Sequence, residues 1–277
     1  MNEIPETLIL ARQIQENLTG KTITAVTAAA SPHKFAWYHG DPSDYPDRLM
    51  GNTIQSAEAF GMMVEMTLSA ATLVFSDGLR PRWHPAAGRI PKKHQLLLEF
   101  DDGTALSGAV SMWGGVWCWS EGDTLESGYY QTAREKPAPL SAEFDAAYFE
   151  ALLAPEDIRK GSLKAALATE QRIPGLGNGC LQDILFAASL NPRRKVQDLT
   201  DSERQTLFTS LKETLAEMAR LGGRSTEKDL FNQPGGYPVV MFSKNKGNPC
   251  PRCGEIIIKE SYMGGSVYFC PACQPRP

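Results

Sequence analysis

One spacing near the end of the chain limits its fold more than any other feature: Cys250-x2-Cys253-x16-Cys270-x2-Cys273, four of the six cysteines within the last 28 residues. Each Cys-x2-Cys pair suits a tight turn that offers two thiolates to one ion, and two pairs complete a tetrahedral all-sulfur shell. The spacing predicts one structural zinc ion (Zn2+) in a zinc ribbon, with a β-hairpin formed by residues 255–259 (EIIIK) and 266–269 (SVYF). Such a shell has no open coordination position, so the metal folds the module and does no chemistry. Paired disulfides or free thiols are the alternative for the same four residues. The other two cysteines, Cys118 and Cys180, are isolated, unlike the framework of a secreted scaffold.

Upstream the pattern changes three times. Residues 5–18 predict a helix: Pro5 suits the first turn, Leu10, Ile14 and Leu18 repeat on one face, and Gly20 stops it. Short β-favourable runs follow at 22–26, 62–68, 71–75, 95–100, 104–106 and 115–119, with turn-like Asp77-Gly78 and Asp102-Gly103. Residues 31–45 read as a loop carrying Phe35, Trp37 and Tyr38. Helical patterns then occupy 142–153, 163–168, 179–188 and 201–221, with a short turn near Glu227. The expected fold class is α+β. Residues 1–133 form an N-terminal helix and β-sandwich domain, 134–140 a linker, 141–240 a helical domain and 241–277 the zinc ribbon.

The 277 residues suffice for a sizeable core, and no apolar run approaches the ~18 residues of a membrane span. The N-terminus lacks the basic and small-residue marks of a signal peptide, so a cytoplasmic place is expected. The net charge of −4 argues mildly against nucleic acid, but its distribution matters more. Residues 151–277 hold 17 Lys and Arg against 13 Asp and Glu, whereas residues 1–150 hold 11 against 19. A nucleic-acid surface is therefore expected mainly in the C-terminal half, as a local patch.

The segment 173–192 reads IPGLGNGCLQDILFAASLNP. Glycines ahead of an apolar helix let backbone N–H groups approach an anion, although an ordinary tight loop has the same composition. A Walker loop is excluded, because no Gly-Lys-Ser/Thr follows. The segment resembles the helix-two-turn-helix of the formamidopyrimidine-DNA glycosylase / endonuclease VIII family, matching at Gly175, Gly177, Asn178, Leu185, Phe186, Ala188 and Pro192, with Asp183 at the acidic position. The cysteine cluster has the family's spacing, and Ile4-Pro5-Glu6 with Glu3 resembles its N-terminal motif.

The resemblance implies a monomer that binds double-stranded DNA with a damaged base or abasic site, associating with the nucleoid. Asn178 and Gly177 would contact phosphate, with electrostatic help from Lys160, Lys164 and Lys244; Arg193, Arg194 and Lys195 lie just downstream. In the family an N-terminal proline amine attacks the sugar C1′ and the following Glu acts on the ring oxygen, which implies Asn2, Glu3 and Glu6 as the catalytic positions here. Asn2 replaces the proline. Methionine is removed before small residues only, so Met1 is expected to stay and the imine chemistry to weaken; if Met1 were cleaved, Asn2 would present a primary amine.

Other departures accompany it. Phe60 stands where a phosphate-binding Lys is expected, and Gly264-Gly265 where the zinc hairpin carries Gln-Arg. Met112 and Trp113 replace the lesion-void side chains, as apolar wedges or as a packed strand end. Phe35, Trp37 and Tyr38 would stack on a base or simply pack. Retained Glu3 and Glu6 favour a base-excising glycosylase with weak lyase activity; Asn2, Phe60 and Gly265 favour a catalytically inactive DNA-binding protein. Glu6 near a helix N-terminus is stabilising without catalysis.

Overall fold

In a computed structural model, which describes residues 1–276, the chain divides into two compact units. Unit 1 contains residues 1–131 and 222–236, and unit 2 contains, of the described residues, 132–221 and 237–276. Pro277, the last residue of the expected ribbon, lies outside the described residues.

Unit 1 opens with helix α1 (Ile4–Leu18), which starts at Glu3 through a reciprocal capping box with Glu6. Gly20 follows at φ +86°, a conformation only glycine adopts without cost. The strands are β1 (Ile23–Ala28), β2 (Ala36–Tyr38), β3 (Ile54–Phe60), β4 (Met63–Leu68), β5 (Ala71–His84), β6 (Leu96–Phe100) and β7 (Ala105–Ser120). Helix α2 (Tyr45–Leu49) lies between β2 and β3. All seven strands belong to one hydrogen-bonded sheet in the order β1-β6-β7-β5-β4-β3, with β2 parallel to β7. The two long strands make this possible. The first half of β5 pairs with the end of β7 and with β4, while the second half pairs with the start of β7, beside β6. One core of α1, α2 and sheet residues results, including Ile14, Leu18, Leu49, Met66, Leu73, Leu98 and Val116.

The two Asp-Gly pairs take different paths. Asp102-Gly103 is the turn between β6 and β7, where Asp102 accepts from the Thr104 N–H at 2.9 Å and Gly103 sits at φ +79°. Asp77-Gly78 instead lies inside β5 as a bulge, with Asp77 at φ +57°. A Cβ on Gly78 would stand 2.4 Å from the Trp113 carbonyl oxygen, so close approach of β7 requires glycine there. The loop expected over 31–45 contains β2, a strand too short for alternation to reveal.

Residues 222–236, assigned from sequence to the helical domain, complete unit 1: Leu230 is fully buried in its core and Phe231 packs on Trp83 at 5.7 Å. Helix α3 (Gly128–Glu135) spans the boundary at residue 131, and unit 2 further holds α4 (Ala146–Leu153), α5 (Glu156–Lys160), α6 (Leu163–Ala168), α7 (Asn178–Ala187) and α8 (Asp201–Arg220). The hairpin β8 (Ile258–Tyr262) and β9 (Gly265–Phe269) turns through Met263 and Gly264, both at positive φ, the conformation of a two-residue hairpin turn. No helix of the described residues is long and apolar enough to cross a membrane.

Candidate functional site

In unit 1 the candidate residues meet at the start of α1. The Glu3 N–H donates to Glu6 Oε2 at 3.0 Å, and the Glu3 carboxylate returns the contact to the Glu6 backbone, closing the capping box. Both acids are almost fully buried, at 2% and 3% exposure. Burial of two carboxylates demands a counter-charge, and Arg224, itself 3% exposed, supplies it. Its Nε and Nη2 donate to Glu6 Oε1 and Oε2 at 3.0 and 2.6 Å, and its Nη1 to Glu3 Oε1 at 3.2 Å. Nη2 also reaches the Met1 carbonyl at 3.0 Å, and the Arg224 N–H donates to Glu6 Oε1 at 3.0 Å. The planar guanidinium matches a carboxylate in this two-pronged way, which a lysine does not.

Asn2 is 4% exposed. Its backbone N–H donates to the Asp77 carbonyl at 3.2 Å and its Nδ2 to the Leu79 carbonyl at 2.8 Å, so the strand bulge of β5 seats it. The Met1 amine is ion-paired with Glu227 at 2.8 Å, and Arg80 meets the same Glu227 oxygen at 3.0 Å. Beside them Asp77 is buried, and burial raises its carboxyl above the usual carboxylate range; the Tyr129 hydroxyl donates to it at 2.6 Å. Arg224, Glu227, Arg80 and Asp77 were not legible as site residues. Arg224 lies more than two hundred residues from its partners and Glu227 well over a hundred from its own, and only the Gly222-Gly223 pair ahead of them hints at a tight turn.

The apolar candidates of unit 1 lie on strands β2, β3 and β7 or just before β2. Met112 is 64% exposed, and Trp113 packs against Trp37 at 6.0 Å. Phe35 and Trp37 are about half exposed, whereas the Tyr38 hydroxyl turns to the Gln95 carbonyl at 3.4 Å. Phe60 packs edge-on against Tyr130 at 5.4 Å.

Unit 2 joins the glycine-rich turn to the ribbon. Gly177 is the N-cap of α7, and Asn178 is its first residue. Asn178 Nδ2 donates to the Ser266 carbonyl on β9 at 2.9 Å, while its Oδ1 is buried without a hydrogen-bond partner. Lys164 is 5% exposed and donates to the Tyr262 carbonyl at 2.7 Å, burial lowering its pKa. Lys160 is exposed and paired with Glu156 at 2.5 Å, and Lys244 is exposed in a short 3-10 turn. Arg193 stacks on the Tyr262 ring at 4.0 Å and pairs with Glu260 at 3.0 Å. Asp183 accepts from the Val240 and Met241 N–H groups at 3.0 and 2.7 Å, tying α7 to the approach to the ribbon.

The Sγ atoms of Cys250, Cys253, Cys270 and Cys273 all lie within 4.8 Å of one another. Two knuckles hold them: the Gly254 N–H returns to the Cys250 carbonyl at 2.9 Å, and the Gln274 N–H to the Cys270 carbonyl at 2.8 Å. Gln274 is itself fixed to Leu190 and Asn191. Four convergent sulfurs fit one tetrahedral metal ion. Cys118 and Cys180 are buried and stand outside this cluster.

Three family models match in chain order. Residues 1–109 match the formamidopyrimidine-DNA glycosylase N-terminal domain, 136–229 the formamidopyrimidine-DNA glycosylase H2TH domain, and 247–276 a zinc finger found in FPG and IleRS. Among curated relatives, the formamidopyrimidine-DNA glycosylase of Nocardia farcinica is 26% identical, covering 100% of this chain and 99% of that protein. That of Lactobacillus delbrueckii is 27% identical, with 100% of both covered. Among solved structures, the MutM (Fpg) protein of Thermus thermophilus is 25% identical, with TM-score 0.82 over 99% of each chain. The Lactococcus lactis Fpg in complex with abasic-site DNA is 23% identical, with TM-score 0.82 over 99% of this chain and 100% of that one.

Proposed function

The chain belongs to the formamidopyrimidine-DNA glycosylase family, and from that membership we propose that it is a DNA repair glycosylase. Its substrate is duplex DNA with a damaged base or abasic site, and its reaction is cleavage of the N-glycosidic bond of an oxidised base. The observation that carries this reading is the pairing of Glu3 and Glu6 at the head of α1 under one buried arginine. Carboxylates are not buried without a task or a counter-ion, and Glu3 occupies the position at which the family acts on the sugar.

In this reading Glu3 activates water or assists sugar opening, and Glu6 orients Glu3 through the capping box. Lyase chemistry is weak. The Asn2 nitrogen is an amide already donating to Asp77, and the Met1 amine is ion-paired with Glu227. Asn178, Gly177 and Lys244 contact phosphate; Lys160 adds charge, and Lys164 acts by holding the hairpin tip. Met112 and Trp113 serve as apolar wedges. The four-cysteine cluster holds Zn2+, which orders the ribbon and takes no part in the reaction. The protein works as a monomer, cytoplasmic and nucleoid-associated when bound to DNA.

A second reading, a DNA-binding protein without catalysis on the same scaffold, is favoured by the absence of the N-terminal proline and by the engagement of both N-terminal nitrogens, Asn2 with the Asp77 carbonyl and Met1 with Glu227. The test uses protein whose N-terminus has been read by intact mass, with duplexes bearing 8-oxoguanine, an oxidised pyrimidine or an abasic site. Base release that is lost in Glu3→Gln, with little borohydride-trapped adduct, is the expected result. Abasic-site binding with no release by any duplex selects the second reading.

A further inference from the structure

Unit 1 draws on the acid-rich half of the sequence, yet one groove on it is lined by cations. The groove, of about 260 Å³, is bounded by Arg80, Arg82 and Lys228, with Ser107, Ala109 and Asn232 among its other walls. Strand geometry explains its shape. Residues two apart on a strand share a face, so Arg80 and Arg82 of β5 point the same way. Their cross-strand partners on β7 are Ala109 and Ser107, side chains too small to fill the space beside them. Lys228, from the returning segment 222–236, closes the opposite side.

The charge of the groove is not cancelled. Lys228 Nζ is bonded to a neutral amide, Asn232 Oδ1, at 3.1 Å. The Arg82 side chain is exposed, and its guanidinium has no hydrogen-bond or ion-pair partner among the described residues. Asp229 is the one acid of the lining, and it is committed to Gln13 at 2.9 Å and to the Phe231 and Gln233 N–H groups at 3.0 and 2.7 Å. Arg80 alone has a carboxylate partner, Glu227, the residue that also binds the Met1 amine.

We propose that this groove is a phosphodiester-binding site of unit 1, holding a DNA backbone phosphate between Arg82, Lys228 and Arg80. The assignment rests on the reading that the chain binds duplex DNA. Two guanidiniums offer paired N–H donors to phosphate oxygens, and Lys228 adds a point charge. Through Arg80 the groove joins the network at the head of α1, so the phosphate is gripped next to the buried carboxylates rather than at a distant face.

The experiment measures binding of wild type, R82Q and R82Q/K228Q to a duplex with an abasic-site analogue as salt is varied. Melting temperatures establish that each variant is folded, and R82Q changes only an exposed side chain. The double variant is expected to flatten the plot of log K against log salt by about one unit and to weaken binding roughly tenfold at moderate salt. R82Q shows an intermediate loss. Unchanged slope and affinity in both variants, with wild-type binding intact, overturn the proposal and leave the functional reading standing. Calorimetry with inorganic phosphate separates the sources: heat abolished in R82Q/K228Q together with an unchanged DNA slope makes the groove a free-anion site and overturns the phosphodiester assignment. A wild type that binds no duplex removes the functional reading, and the groove assignment with it.

Discussion

Each unit buries one cation against the region that gives it a task, and the two are handled differently. Arg224 in unit 1 is met by two carboxylates and a carbonyl, so charge is answered by charge. Lys164 in unit 2 is almost equally buried, but its bond to the Tyr262 carbonyl answers it with a dipole. The first arrangement leaves three mutually dependent ions in low dielectric. The second leaves one desolvated amine, which can shed its proton. A buried ion network is therefore the brittle part of this molecule, and a buried lysine on a carbonyl is a forgiving pin.

The largest perturbation lies outside both cations and sets the scale for them. Stripping the metal, or Cys253→Ser, is expected to unfold the ribbon, since ligand binding in such modules is folding free energy on the order of 10 kcal/mol. Loss of the β8–β9 signals by NMR, with unit 1 intact, is the expected observation. An unchanged hairpin would mean that packing on Phe186 and Met241 suffices without metal.

Arg224→Met comes next. Removing one member of a buried ion cluster costs roughly 3–5 kcal/mol, because the remaining carboxylates lose their compensation. Lys164→Met is expected to cost roughly 1–3 kcal/mol, the penalty of one orphaned carbonyl. Urea melts of the two variants test the comparison directly, and equal losses break it.

The smallest effect is a pH dependence. Burial raises Asp77 above its usual value of 3.8, so its contribution to stability is complete below that value and is lost as pH rises through the raised one. Asp77→Asn keeps an acceptor for Tyr129 and tolerates positive φ, and removes that loss. The stability of the variant relative to wild type should therefore climb with pH above about 4, as thermal melts across the range would show.

The same contrast decides what the sequence discloses. The ribbon is written within one short stretch, where x2 spacings force pairs of thiolates onto turns. The head of α1 was legible for the same local reason: Pro5, Glu6 and the apolar repeat all sit within four turns. Arg224 and Glu227 were not, because nothing local marks a side chain whose partners lie at the other end of the chain. The Asp-Gly pairs carry the same lesson. The dipeptide favours positive φ in both places, but only long-range pairing of β5 with β7 makes one a turn and the other a bulge. A charge tally by halves likewise averaged away the groove of Arg80, Arg82 and Lys228.

Unit 1 takes its last piece from beyond most of unit 2. During synthesis the first 131 residues emerge with every strand of the sheet but without Leu230 for the core or Arg224 for the two acids. A nascent chain at that stage must carry two carboxylates at the head of its first helix without their arginine, and only translation past Arg224 supplies it. The head of α1 thus becomes a late checkpoint of biosynthesis: a chain that stalls or is truncated before Arg224 is made lacks the counter-ion that closes it.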